Sequence, residues 1–187
     1  MIKTIVNLIV NDLAKHVNYN NEQKEQIEYS LIIMSYELIK FILLILILYV
    51  LGFLKEGLVV LATMMITKPF IGGYHEDSQI KCFFATLIIV CSLIILEKNM
   101  QLNVMAILIL NLFSIFCVYH KAPIINEKMP LTKENLIKRN RRIGLINMSL
   151  LALISTLICT RTMYGELICL TNIVQVMLMF NKYKGKR

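Results

Sequence analysis

An apolar run of 24 residues, LIIMSYELIKFILLILILYVLGFL at positions 31–54, decides the fold of this chain. At a rise of 1.5 Å per residue, a helix of this length crosses the ~30 Å hydrocarbon core of a bilayer. Its two charges, Glu37 and Lys40, lie three positions apart, so we interpret them as a self-neutralising pair on one helix face. A functional role for this pair inside the membrane is the alternative. The run predicts a membrane-spanning helix.

Five more apolar segments follow, at about residues 57–67, 83–96, 102–119, 143–160 and 166–180. The second and third of the six segments are short for spanning helices, so we expect them to be tilted, re-entrant or extended by polar residues that face protein. Of all 187 residues, 57% are apolar and 17% are charged, which is too apolar for a water-soluble domain of this size. We therefore predict an all-α, polytopic integral membrane protein with about six apolar helices, acting as a single domain over residues 1–187.

The N-terminal segment, residues 1–28, has a different pattern. Apolar residues recur at helical spacing between positions 2 and 13, with Lys3, Asn7 and Asp12 among them. This pattern predicts an amphipathic helix that lies in the membrane interface.

The basic residues are unevenly divided between the two sides that six helices would create. With both termini in the cytosol, sixteen Lys and Arg residues lie on the cytosolic side and three on the other, a strong bias under the positive-inside rule. We therefore expect both termini, a loop at 68–82 and a basic loop at 120–142 in the cytosol. The net charge of +8 then faces an anionic inner leaflet. We expect no nucleic-acid partner, because no basic patch is interleaved with aromatic residues on a polar domain.

The loop KPFIGGYHEDSQIKC, at positions 68–82, carries the residues best suited to chemistry. On one continuous helix His75 and Cys82 would be about 10.5 Å apart along the axis, too far for the ~2.6–3.2 Å of a proton transfer. The pair Gly72-Gly73 permits a bend before His75. Asp77 or Ser78 can then cap a new helix, which places Cys82 near its first turn. A helix N-terminus and the adjacent Lys81 both favour the thiolate, the nucleophilic form of cysteine.

Other interpretations of these residues stay open. The histidine and the cysteine can be structural, and a zinc site with His75, Cys82 and His120 lacks ligand-pair spacing and an obvious fourth ligand. A small transporter or a non-catalytic peptide-binding membrane partner is the alternative from another functional class. The five cysteines are odd in number and contain no CxxC pair, so they predict no disulfide framework. We expect no metal and no cofactor.

Gly-Gly-Tyr-His at 72–75, followed by Cys82 at the start of an apolar helix, resembles the accessory gene regulator B (AgrB) family. The resemblance extends over most of the chain. The family usually has arginine seven residues before the histidine, where this chain has Lys68; that change keeps the charge but loses bidentate carboxylate recognition. Supporting features in family order are the N-terminal amphipathic segment, Ala122-Pro123, Pro130-Leu131 and Lys138-Arg139-Asn140-Arg141-Arg142.

The resemblance implies a membrane-embedded cysteine endopeptidase of Gram-positive quorum sensing. Such an enzyme would cut the acidic C-terminal tail from an AgrD-like propeptide through a thioester, and an internal thiol or hydroxyl would then close a thiolactone or lactone ring. Cys82 would be the nucleophile, His75 the base and Gly73 a loop-shaping residue. The resemblance also implies a homodimer in the cell membrane.

The remaining site residues have weaker assignments. Lys68, Asp77 and Ser78 are candidate supporting residues, although helix capping is the favoured role for Asp77 and Ser78. The cations of the basic loop can serve as a docking surface for an acidic peptide tail or simply set the topology. Four of them are candidate substrate-binding residues: Lys138, Arg139, Arg141 and Arg142.

Overall fold

The computed structural model describes residues 21–73, 78–124 and 134–180, together with Val6, Val10 and Asp12. The three ranges contain six α-helices: α1 (Asn21–Val50), α2 (Leu54–Ile71), α3 (Gln79–Asn99), α4 (Val104–Lys121), α5 (Glu134–Ile158) and α6 (Met163–Phe180). Pairing of the β type within these ranges is limited to one isolated bridge, between Gly72 and Ile124. The predicted all-α fold is confirmed.

Helix α1 belongs to a compact unit of its own, Met1–Val50. Within it, Lys40 Nζ lies 2.5 Å from Glu37 Oε2, so the two charges of the first apolar run form the predicted pair. Of the predicted N-terminal amphipathic helix, Val6 and Val10 are helical and buried, and Asp12 is helical and exposed. The rest of that prediction lies outside the described residues.

Helices α2 to α6 form the second unit, Leu51–Arg187, and the contacts between their ends show that they alternate in direction. At one end of this bundle the Leu102 N–H donates to Glu166 Oε1 (2.6 Å). At the opposite end the Ile124 N–H donates to Ile71 O (2.9 Å). We name these the outer end and the inner end, after the predicted orientation. Helix α6 packs against all four other helices of the unit.

Five of the described helices, all except α2, are long and apolar enough to cross a membrane, as expected of a multi-pass membrane protein. Helix α2 carries Lys55 and Glu56 near its start and Lys68 near its end. It still crosses the full thickness of the bundle, because Phe53 lies against Lys98 at the outer end and Ile71 bonds Ile124 at the inner end. The two short apolar segments are thus extended by polar residues, α2 at both ends and α3 to 21 residues.

Polar side chains link the helices inside the bundle. The Thr67 hydroxyl donates to Gln175 Oε1, and Gln175 Nε2 donates to Thr63 O (3.4 Å), which joins α2 to α6. Asn111 Nδ2 donates to Ala152 O (3.2 Å), which joins α4 to α5. Lipid provides no hydrophobic drive between helices, so interhelical hydrogen bonds and close packing hold such a bundle together.

Candidate functional site

Helix α2 ends at the inner end in a tight turn formed by Gly72 and Gly73. Their φ angles are +73° and +128°, a region that side chains disfavour. The Gly72 N–H donates to Lys68 O (3.0 Å) and closes the last turn of α2. A Cβ at Gly72 would lie 2.2 Å from Ile124 O, so no other residue fits without moving the backbone. The bend predicted at this glycine pair is present.

An apolar cluster at the inner end holds the last residue of α2. Ile71 is fully buried in it, and Gly144 of α5 lies so close that a Cβ there would be 2.9 Å from Ile71 Cγ2. Close packing from several helices leaves a side chain few alternative positions. Core packing therefore sets the direction in which α2 leads into the glycine turn. The other buried members of the cluster come from α4, the residue after it, α5 and α6: Cys117, Val118, Ala122, Met148, Val176 and Met179.

Cys82 lies in the first turn of α3. Ser78 occupies the N-cap position, as the sequence predicts, although its side chain makes no capping hydrogen bond. The Cys82 N–H donates to Ser78 O (2.9 Å), and Cys82 O accepts a hydrogen bond from the Thr86 hydroxyl (2.8 Å). Cys82 is buried and begins the buried face of α3, which continues through Thr86 and Val90. The thiol is thus on the side of α3 that faces protein rather than lipid.

The predicted base, His75, lies in sequence between two described residues, Gly73 and Ser78. On one side, Gly73 is buried against the end of α6, where a Cβ would be 3.6 Å from Leu178 O. On the other side, Ser78 begins the approach to Cys82. Residues 74–77 lie outside the described residues, so the positions of His75 and Asp77 stay predictions. The structure brings the glycine turn and Cys82 to the same end of the bundle.

The four candidate substrate-binding cations lie exposed at the start of α5, also at the inner end. Two of them have partners within the chain. Lys138 Nζ lies 2.7 Å from Glu134 Oε1, one helical turn away. Arg141 Nη2 donates to Tyr119 O (2.6 Å) and ties α5 to the last turn of α4. Arg139 and Arg142 make no hydrogen bond or ion pair with any described residue.

The other residues weighed for chemistry have structural surroundings. Cys117 and Cys169 are buried inside the bundle, and Cys159 Sγ donates to Thr156 O (3.1 Å). The His120 ring lies 4.4 Å from the Phe116 ring. Among the described residues, no three His, Cys, Asp or Glu side chains are grouped to hold a metal ion.

Sequence reasoning missed two contacts at this site. One is the bridge between Gly72 and Ile124, and the other is the bond from Arg141 to Tyr119. A glycine pair signals a turn but not which segment passes beside it, and Ile124 is an ordinary apolar residue after a proline. Neither contact has a local pattern that could have been read from the sequence.

Comparison with known proteins gives one consistent result. The family model described as accessory gene regulator B matches residues 6–179. AgrB-like protein 1 of Clostridium perfringens (strain 13 / Type A) is 49% identical over 172 residues, which is 92% of each chain. AgrB-like protein 2 of the same strain is 29% identical over 149 residues, covering 76% of this chain and 70% of the relative. No solved structure matches the chain.

Proposed function

Because this chain belongs to the accessory gene regulator B family, a family linked to autoinducer processing in quorum sensing, we propose that it is a cysteine endopeptidase that matures an AgrD-like propeptide. The observation that carries this proposal is the place of Cys82. A buried thiol begins the inward face of α3, at the same end of the bundle as a glycine turn and a group of cations. A thiol at a helix start is well placed for nucleophilic chemistry.

Cleavage would proceed by acyl transfer to sulfur. Cys82 Sγ attacks the carbonyl carbon of the scissile peptide bond, and His75 takes the thiol proton and delivers it to the leaving amine. The C–N bond breaks, the acidic tail leaves, and the remaining peptide is held as a thioester on Cys82.

Ring closure would transfer the acyl group from Cys82 to a nucleophile within the peptide itself. An internal thiol or hydroxyl of the bound peptide attacks the thioester carbonyl and gives its proton to His75. The bond from carbonyl carbon to Cys82 Sγ breaks, and a thiolactone or lactone leaves. A site at the edge of the bundle assists this step if it keeps water from the thioester.

The start of α3 supplies candidate groups for the developing oxyanion. The Cys82 N–H is already bonded to Ser78 O, so the amides of the preceding turn, Gln79, Ile80 and Lys81, are the ones without an intrahelical acceptor. Backbone amides aimed at the tetrahedral oxygen are the usual donors in acyl transfer. Lys68, in the last turn of α2, adds a cation at the same end of the bundle.

Docking of the acidic tail would rely on the cations that have no partner among the described residues. Arg139 and Arg142 are exposed at the inner end, whereas Arg141 is engaged with Tyr119. Complementary charge speeds the encounter and orients the peptide. In this proposal the inner end faces the cytosol, and the active form is a homodimer.

The test is co-expression with an AgrD-like propeptide. Cys82→Ala and His75→Ala should each leave the propeptide uncut at unchanged membrane abundance. Cys91→Ala is the matched control, since Cys91 is a half-buried cysteine further along the same helix, and it should process normally. Normal cleavage by Cys82→Ala would refute the protease.

One observation favours the alternative of a transporter. Asn172, at the middle of α6, is fully buried, and neither its amide nitrogen nor its amide oxygen has a partner among the described residues. Polar groups at mid-membrane depth often line transport pathways. A transporter predicts that Asn172→Leu abolishes extracellular signal while propeptide cleavage continues; a protease with a merely packed interior predicts that both continue.

A further inference from the structure

The segment after α4 is bonded directly to the turn that leads to the proposed active site. The Ile124 N–H donates to Ile71 O (2.9 Å), and Gly72 and Ile124 form a parallel bridge. Ile71 O is one of the last carbonyls of α2, and these carbonyls accept no hydrogen bond from an N–H of their own helix. Residues 122–124, here named the 122–124 segment, therefore complete the end of α2.

This contact requires glycine at position 72 for two separate reasons. Its φ of +73° disfavours any side chain, and a Cβ would lie 2.2 Å from Ile124 O and 3.1 Å from Ile124 N. Gly52 separates the two reasons, because it has φ +76° but nothing within 4 Å of an added Cβ. A substitution at Gly52 adds only backbone strain, whereas one at Gly72 must also push the 122–124 segment away.

The bridge links the inner-end cluster to the glycine turn. Ala122 is buried in the inner-end cluster with Ile71, so the 122–124 segment is anchored on one side. On the other side, Ile124 holds the backbone of Gly72, three residues before His75. The bridge therefore sets the direction in which the chain leaves the bundle toward His75.

Resting on the proposed function, we propose that Gly72 and Ile124 are positioning residues for the reaction, acting through the bridge that aims the His75 loop at Cys82. Neither residue touches the peptide. A displacement of about 1 Å in a catalytic group can cost on the order of a hundredfold in rate, so breaking the bridge should lower kcat. Peptide docking occurs elsewhere, at the start of α5, so KM should stay near that of the unmodified chain.

The test uses the full chain in membranes and two matched pairs of variants. Gly72→Ala displaces the bridge, and Gly52→Ala reproduces the backbone strain without a collision. Ile124→Pro removes the N–H that bonds Ile71 O, and Ile124→Ala removes side-chain packing but keeps that N–H. The readouts are kcat and KM for an AgrD-like propeptide added to these membranes at varied concentration, and the rate at which iodoacetamide alkylates Cys82, followed by mass spectrometry of its peptide.

We expect Gly72→Ala and Ile124→Pro to lose at least tenfold in kcat and to alkylate Cys82 more slowly, with KM within about twofold, since His75 no longer meets the thiol. Gly52→Ala and Ile124→Ala should retain kcat within about threefold at equal membrane abundance. Equal kcat within either pair overturns the inference, as does a loss that appears only in KM. If Gly72→Ala fails to accumulate, the Ile124 pair decides.

The same variants distinguish this inference from the proposed function. Cleavage by Cys82→Ala would refute the proposed function. Full activity of Gly72→Ala, together with no activity of Cys82→Ala, would refute only this inference.

Discussion

At the residue scale, two neighbouring arginines have different surroundings. Arg141 donates to Tyr119 O, and its guanidinium carbon lies 5.3 Å from the Tyr119 ring centroid. Because carbonyls in the last turn of a helix lack intrahelical donors, this bond completes the end of α4. Arg142 projects from the same turn of α5 without a hydrogen bond or ion pair to any described residue. The first arginine stabilises the fold, whereas the second is exposed and has no such partner in the described ranges.

The two arginines should therefore respond differently to neutralisation. Arg141→Gln should lower the free energy of unfolding by about 1 kcal/mol, because a charge-assisted hydrogen bond is lost. Arg142→Gln should leave it unchanged. Thermal unfolding midpoints of the purified proteins in detergent measure this difference, and identical midpoints would contradict the assignment.

Neutralising Arg142 should affect processing instead. Cleavage of the propeptide by Arg142→Gln should slow more at low than at high ionic strength, because salt screens the attraction that the substitution removes. Cleavage rates at two salt concentrations test this, with Lys55→Gln at the outer end as the control. A loss that is the same at both concentrations would remove the docking role.

Residue-level prediction is possible where the sequence pattern is local. His75, Cys82 and the glycine pair form one short pattern, so the candidate site could be proposed from sequence, and the placement of Cys82 in the first turn of α3 agrees with it. Arg141 and Arg142 look equivalent in sequence. Their difference depends on Tyr119, 22 positions earlier, and no local pattern carries that information.

At the element scale, the hairpin of α5 and α6 depends on close backbone approach. A Cβ at Gly165 would lie 2.5 Å from Cys159 N and 2.6 Å from Ser155 O. The Ser155 hydroxyl also donates to Gly165 O (2.7 Å). The first turn of α6 therefore rests directly on the last turn of α5.

Alanine at Gly165 should be considerably more damaging than alanine at Gly144. The added methyl group at Gly165 meets backbone, which cannot move aside, and overpacking of this kind costs about 1–3 kcal/mol or more. At Gly144 the close atom is the Ile71 Cγ2 methyl, a side-chain group at 2.9 Å rather than backbone. Unfolding midpoints should fall for both variants, and further for Gly165→Ala than for Gly144→Ala; the reverse order would refute the packing argument.

Element prediction was reliable where apolar length decides the structure. The six apolar segments all became helices, because a backbone in lipid must satisfy its own hydrogen bonds. Helix ends were harder to predict. Helix α2 extends beyond its apolar centre to Lys55 and Lys68, because these charged residues lie at the ends of the bundle rather than at its middle.

At the scale of the whole molecule, the helix ends of the second unit meet at two opposite faces. The inner end carries the glycine turn, the start of α3 and the basic start of α5. The sequence predicts that this end faces the cytosol, since sixteen of the basic residues lie on that side of the predicted topology.

Single cysteines at the two ends should report this orientation. Gln101→Cys at the outer end should react with a membrane-impermeant maleimide in intact cells, and Lys121→Cys at the inner end should react only after lysis. Both side chains are exposed. The unmodified chain corrects for its native cysteines, and labelling of Lys121→Cys in intact cells would invert the predicted topology.

The inner-end cluster also bears on how such a protein diversifies. Ile71 leads into the glycine turn and, through Met148 and Val176, holds α5 and α6 together. A mutation in this cluster that shifts the glycine turn therefore also weakens the packing of the scaffold. Changes at exposed positions such as Arg139 and Arg142 carry no such penalty. Under the proposed function, lineages can thus exchange one signal for another at the periphery, while the machinery that would cut the propeptide and close the ring is inherited intact.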